Sequence, residues 1–497
     1  MRLKIKNLLY QNYLILLAII LVGLFLRTYQ LRERFLYSHD QDLAGWFIKD
    51  VVIDKHLRLV GQETSTQGIF IGPFFYYLQI PFYLFSHMDP IGGTYLVTFL
   101  GILTMVSIYF VFSQIFDKKV GLIGAFIYAV SFYTVNNDRE VVPTMPVILW
   151  SVWFLYGLSL LLKNEQKKAS LVFGILMGLI WHINFALILP VILIPIAYYF
   201  SRKRFEYKNL APGLIALFVT SLPLLLFEVR HGFQQTKAMF YSLTTPQSDT
   251  VFTGYEKFQR VWYLMSKNIH GLFMGTFPWL SFESVSFIFV VILIFLIVKK
   301  IIDRRLLFLV VIWILIYIFF FSSYSKIVSE YYLNGITIIW ILTFSVCIWQ
   351  LLKRSDIKHF GVMILSFFFV FNLNKFFSYD INASGYVQRK DIVSEIKRNS
   401  NDRGYPCVSV SYITDPGYNL GYRYFFWLLN VKTAPIGNDV PVYTIVFPLK
   451  PIFVTDVNKG AIGLIYPNHE SYAKERIEKG CSGENSNLTD PLFGFTR

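Results

Sequence analysis

The sequence predicts a polytopic α-helical membrane protein of about eleven transmembrane helices, with its N-terminus inside. A small extracytoplasmic α/β or α+β domain is expected at the C-terminal end. Three observations predict this class. Hydrophobic residues make up 55% of the 497 positions and charged residues only 15%, and long uncharged apolar runs recur, which is a membrane composition. Basic clusters fall in alternate gaps between those runs. From residue 377 onward the apolar runs give way to short β-like stretches.

Runs of about 17–25 apolar residues can cross a bilayer as helices, because a helix pairs its own backbone polar groups. Such runs place spans near 8–26, 91–115, 120–136, 142–162, 169–182, 184–200, 209–227, 284–298, 306–322, 334–352 and 360–376. Arg2, Lys4 and Lys6 precede the first, which is long for a signal core and lacks a small-residue cleavage pattern, so it is expected to be retained. With the N-terminus inside, the inner loops hold Lys118-Lys119, Lys163 with Lys167-Lys168, Arg202-Lys203-Arg204, Lys299-Lys300 with Arg304-Arg305, and Lys353-Arg354 with Lys358. The short outer loops hold only Arg139 and Lys326, as the positive-inside bias requires. The net charge of +15 therefore reflects topology and not a nucleic-acid partner.

Two long outer loops follow from this topology, 27–90 and 228–283. In the first, Asp42 to Leu59 reads as a helix lying on the membrane surface. After the breaker Gly72-Pro73, Phe74 to Phe85 reads as a second. The domain at 377–497 carries a helix-like Asp391 to Arg398 and β-like runs at Val408 to Tyr412, Val442 to Val446 and Ala461 to Tyr466. Its aromatic stretch Tyr418 to Trp427 either faces the membrane or an acceptor, or is ordinary core. Cys407 and Cys481 can pair only if the domain lies in an oxidising compartment.

Chemistry gathers on the outer side. Asp40 and Asp42 stand one residue apart just past the first span, beside His39. Charged groups at such a boundary mark a substrate or ion path, or simply a solvated loop. A second acidic turn, Asn136-Asn137-Asp138-Arg139-Glu140, joins spans three and four. His182 sits in an otherwise apolar stretch and reads as a substrate contact or a satisfied structural histidine. Arg230 and His231 open the second long loop, and Lys326 and Tyr331 close the last short one. The cations among these suit a phosphate. Asp40, Asp42 and a second-loop acid offer few oxygen ligands for a divalent cation, so no cofactor is expected to be required.

These features resemble the bacterial relatives of the dolichyl-phosphate-mannose–protein mannosyltransferases and the aminoarabinose transferases, which share the GT-C architecture. The resemblance runs from about residue 10 to about 350. It rests on the acidic motif after the first span, on Gly72-Pro73-Phe74-Phe75-Tyr76-Tyr77, on Asn137-Asp138-Arg139-Glu140 and on the alternating topology. It implies a glycosyltransferase of the bacterial plasma membrane and cell envelope, with an extracytoplasmic site. A polyprenyl-phosphate sugar would be the donor, and a protein, lipid or glycan hydroxyl would attack with inversion. The essential first-loop acid of that family matches Asp40, with Asp42 as second candidate. The second-loop acid maps to Asp138 or Glu140. A transporter or flippase of lipid-linked sugars would instead place charges mid-span in paired halves, and a ligase or polymerase would share the architecture.

Overall fold

In the computed structural model, residues 2–64, 66–201, 206–244, 254–274, 281–299, 301–324, 328–437 and 439–488 are described. The chain folds as a helical membrane protein with a small C-terminal sheet domain. Its bundle begins with α1 (Arg2–Thr28), then α2 (His39–Val52), α3 (Phe74–Phe85), α4 (Ile91–Ile115), α5 (Lys118–Val130), α6 (Phe132–Asn137), α7 (Val147–Leu162) and α8 (Gln166–Ile183). A 3₁₀ turn, Phe185–Ile192, runs into α9 (Leu193–Ser201). Next come α10 (Ala211–Arg230), α11 (Gln234–Thr244), α12 (Gly254–Met274), α13 (Phe282–Val298) and α14 (Arg304–Ser323). A second 3₁₀ turn, Glu330–Ile336, leads into α15 (Thr337–Lys353), followed by α16 (Lys358–Ser378).

Each of the eleven expected spans is found as helix, but among the described residues only six are long and apolar enough to cross a membrane: Tyr10–Thr28, Ile91–Ile115, Tyr207–Arg230, Arg304–Ser323, Glu330–Lys353 and Lys358–Ser378. The shorter ones have identifiable causes. The run expected at 120–136 breaks at Ser131, whose ψ of 124° leaves the helical region. The run expected at 142–162 starts only after Pro146, because the residue before a proline is pushed out of the helical region. The expected break near residue 183 is present: Asn184 is extended, and its side chain caps the following turn through Ala186 N–H.

The two surface helices position the site. Ser38 precedes α2, Gln41 accepts its N–H at 2.8 Å, and Asp40 and Asp42 occupy the first turn. This is the reciprocal end pattern that starts a helix, with acids where the dipole favours them. The apolar face of α2, Leu43, Phe47 and Ile48, packs against Tyr76 and Tyr83 of α3 and Tyr424 of the C-terminal domain. Protein, not lipid, covers it, and the helix ends at Val52, short of the expected Leu59. The second surface helix spans the expected residues.

The C-terminal domain consists of α17 (Tyr386–Asp402), β1 (Ser409–Thr414), α18 (Arg423–Leu428), β2 (Val442–Phe447), β3 (Val457–Lys459), β4 (Ile462–Ile465) and α19 (Lys474–Gly480). The sheet order is β1-β2-β4-β3. β1 and β2 are parallel, with Ser409 opposite Val442, and the other two pairings are antiparallel. A parallel pair needs a crossover, and the crossover here carries α18. Tyr424, Phe425 and Phe426, from the stretch left open between membrane face and core, are buried. Cys407 and Cys481 form a disulfide with their Cα atoms 5.6 Å apart.

Candidate active site

Consecutive helix residues are turned about 100° from one another, so Asp40, Gln41 and Asp42 face three directions. Asp40 is half-buried and accepts a 3.1 Å hydrogen bond from Gln62 Nε2. Gln41 Nε2 donates to Val141 O at 3.1 Å, tying α2 to the second acidic turn. Asp42 is 1% exposed; its Oδ1 accepts from Tyr37 Oη at 3.1 Å and from Tyr424 N–H at 3.0 Å. Burial pushes the Asp42 carboxyl up to about 6, against these two bonds and the charges of Arg423 and Arg389. The expectation that Asp42 is a catalytic acid is therefore corrected. It binds the C-terminal domain and has no open face.

The second acidic turn divides in the same way. Asp138 is fully buried in an ion pair with Arg27, Nη2 to Oδ2 2.6 Å, and accepts from Tyr128 Oη at 2.7 Å. Arg27 also donates to Gly23 O, Ala129 O and Tyr128 O. Only a glycine fits at 101, where a Cβ would come 2.7 Å from Asp138 Oδ2 and 2.8 Å from Arg27 Nε. Asp138 is thus a structural carboxylate, which corrects its catalytic assignment. Arg139 is corrected too: its Nη2 donates at 2.6 Å to both Leu26 O and Tyr29 O, and so caps the end of α1. Glu140 alone of this turn keeps an exposed side chain. The protein mass around it, and then the Glu330 carboxylate, raise its pKa.

The remaining candidates sort by their partners. His182 is 1% exposed and bonded on both ring nitrogens, accepting from Phe74 N–H at 3.3 Å and facing Thr220 O at 2.8 Å. It pins the Gly72-Pro73 corner at the start of α3; a Cβ at Gly72 would lie 2.0 Å from its Nδ1. This corrects its reading as a substrate contact. His231 Nδ1 lies 2.9 Å from Phe227 O at the end of α10, and its ring stacks on Phe227. Arg230 is exposed at the same helix end, and no described hydrogen bond or ion pair joins it to Asp40. His39 is half-buried at the start of α2, and burial lowers its pKa. Lys326 lies outside the described residues.

Asp40 and Tyr331 lie within reach of each other's charge, as do Glu140 and Glu330. Tyr331 is partly exposed. Glu330 beside it pairs with Lys267 Nζ at 2.7 Å. Lys267 escaped the sequence reading, yet the signal was there. Val261, Met265, Ile269, Leu272 and Phe273 recur at helical spacing and are buried, which places Lys267 on the opposite side of α12. Asn268 Nδ2 fixes that helix to Glu330 O at 3.1 Å, and Tyr133 Oη donates to Asn334 at 2.7 Å behind it. The result is a group of polar side chains that offers a carboxylate, a second acid and a half-exposed cation. Among the described residues no three His, Cys, Asp or Glu side chains form a metal cluster.

Comparison with known proteins bears on this arrangement. Residues 72–227 match the family described as dolichyl-phosphate-mannose-protein mannosyltransferase. The whole fold matches the crystal structure of ArnT from Cupriavidus metallidurans bound to undecaprenyl phosphate, with a TM-score of 0.61 at 12% identity, covering 93% of this chain and 99% of that one. The chain thus shares its fold with that ArnT structure. The oligosaccharyltransferase of Archaeoglobus fulgidus also matches, with a TM-score of 0.50 at 15% identity, covering 87% of this chain and 67% of that one. No curated protein matches the sequence. The mannosyltransferase family match begins at Gly72, the corner held by His182, and includes the turn with Asp138 and Glu140.

Proposed function

We propose that the protein transfers a sugar from a polyprenyl-phosphate donor to an acceptor hydroxyl at the extracytoplasmic face of a plasma membrane, with inversion. The observation that carries this reading is Asp40. Its carboxylate is held by one neutral donor, makes no ion pair among the described residues, and lies within reach of the charge of Tyr331, whose neighbour Glu330 pairs with Lys267. In this scheme Asp40 takes the acceptor proton as the hydroxyl attacks the anomeric carbon. The bond from that carbon to the phosphate oxygen breaks, and Lys267 stabilises the charge left on the lipid phosphate. Glu140 orients the sugar or acceptor hydroxyls. The mannosyltransferase family match and the undecaprenyl phosphate of the ArnT structure support a lipid-phosphate donor. The basic loops and the Cys407–Cys481 disulfide support an extracytoplasmic domain. The scheme requires no metal ion.

The test incubates purified protein with a panel of polyprenyl-phosphate sugars and follows release of lipid phosphate, with and without chelator. Release from at least one donor, unchanged by chelator, is expected. No release from any donor, or labelling of a Ser384→Cys variant only after lysis of the cells, would remove the reading.

A further inference from the structure

We propose that the C-terminal domain is the positioning element of the catalytic corner: through Asp42 and α18 it fixes the first turn of α2, and thereby the direction of Asp40. The proposal rests on Asp40 being the base. The domain reaches α2 at four neighbouring points. Tyr424 N–H donates to Asp42 Oδ1. Gly421, at φ +87°, passes so close to Ser38 that a Cβ would lie 3.0 Å from its carbonyl carbon. Gly45 presents bare backbone to the Tyr424 ring, where a Cβ would come within 2.7 Å. Trp46 packs beside Trp427 at 6.4 Å between ring centroids, and Arg423 lies over Trp46 at 5.8 Å.

The domain is also attached elsewhere. Tyr386 N–H donates to Phe35 O at 3.1 Å, Tyr386 Oη to Asp89 at 2.7 Å, and Lys390 pairs with Asp89. Attachment alone does not need the grip on α2. That grip has a geometric consequence, because Asp40 and Asp42 share one helical turn about 200° apart. A rotation that releases Asp42 swings Asp40 away from Gln62. Misplacement by about 1 Å costs on the order of 10²-fold in rate.

Oδ1 of Asp42 accepts both bonds, from Tyr37 and Tyr424. An amide oxygen can do the same and an alanine cannot. The experiment compares Asp42→Asn, Asp42→Ala and Lys390→Met by donor turnover and by hydrogen exchange of the whole protein. Asp42→Ala is expected to lower kcat by about 10–10²-fold with KM for donor within about twofold. It should speed exchange in residues 39–46 and 423–428 by roughly tenfold or more, while protection of β2 stays unchanged. Asp42→Asn should keep turnover within about threefold, as should Lys390→Met, which loosens only the attachment to Asp89. Equal loss in the Asn and Ala variants would assign the carboxylate to chemistry, and normal turnover in Asp42→Ala would leave the domain a passenger; either overturns the proposal. If Asp42→Ala loses its fold, Gly45→Ala carries the test by pushing against the Tyr424 ring, and unchanged kcat there overturns it as well. If the wild-type protein turns over no donor, the transfer reading fails, while the exchange pattern still decides whether the domain holds α2.

Discussion

The two acidic turns of this chain look alike and are built differently. In each, acids stand two residues apart, one of them buried and the other more accessible. The buried acid of the second turn, Asp138, meets a cation: Arg27 pairs with it inside the bundle. The buried acid of the first, Asp42, accepts from a phenol and a backbone amide of the C-terminal domain, with Arg423 and Arg389 acting only at a distance. One carboxylate holds the bundle together, the other holds a domain against it. The proposed scheme assigns the chemistry to the more accessible acids, Asp40 and Glu140. Replacing the three aspartates in turn should therefore give three different phenotypes from one residue type.

The largest effect is expected at Asp40. Asp40→Asn keeps the shape and the Gln62 contact but cannot take a proton, so turnover at saturating donor should fall by about 10²–10⁴-fold with the melting temperature unchanged. Normal turnover per folded molecule would end the distinction between open and buried acids. At Asp138 the sign moves from rate to stability. Asp138→Ala strands Arg27 without a counter-charge in the bundle, at a cost of about 3–5 kcal/mol. Thermal unfolding in detergent should show this, with near-normal turnover in whatever remains folded.

Asp42 sharpens the comparison through pH. Its carboxyl is raised from 3.8 to about 6 in the fold. The folded chain thus holds this proton where the unfolded chain has lost it, and stability falls as pH rises from about 4 to 6. The groups facing it are Tyr37, Tyr83 on α3, Tyr424 and Arg423 on α18, Arg389 on α17 and Tyr412 on β1. Asp42→Asn should remove this slope, worth at most ~3 kcal/mol. Denaturation curves for both proteins at pH 4, 5, 6 and 7 would settle it, and parallel curves would show that Asp42 does not titrate there. The smallest effect concerns Lys267. Its pair with Glu330 is half-exposed and is worth less than about 1 kcal/mol to the fold. Lys267→Met should leave the melting point within a degree or two and raise the donor KM about tenfold.

The helical runs, the surface helix from Phe74 to Phe85 and three of the four described strands of the C-terminal domain were legible because burial imposes a period on the sequence, whereas the short β3 was not. The acidic corner was legible as a place but not as a set of roles. Asp40 and Asp42 are chemically identical and both flank the first span, and only the partner of Asp42, found at Tyr424, separates them. Arg139 looked like a phosphate ligand because its charge was visible and the α1 carbonyls it caps were not. The two readings of His182 stayed open for the same reason: both of its partners are backbone groups, which leave no mark in composition. Lys267 went unnoticed because it lies in a long loop where a helical period was present but not followed.

The hydrogen bond from Tyr424 to Asp42 spans 382 positions of the chain. At synthesis rates of about 5–20 residues per second, the first acidic turn waits about 20–80 s for its partner to emerge. During that interval the bundle can already hold its helices in the bilayer while α2 lacks a wall. A nascent or prematurely terminated chain would then carry Asp40 without the frame around it. On the proposed scheme, emergence of residues 421–427 would itself set the corner, so that a donor lipid meeting a half-made protein is not spent.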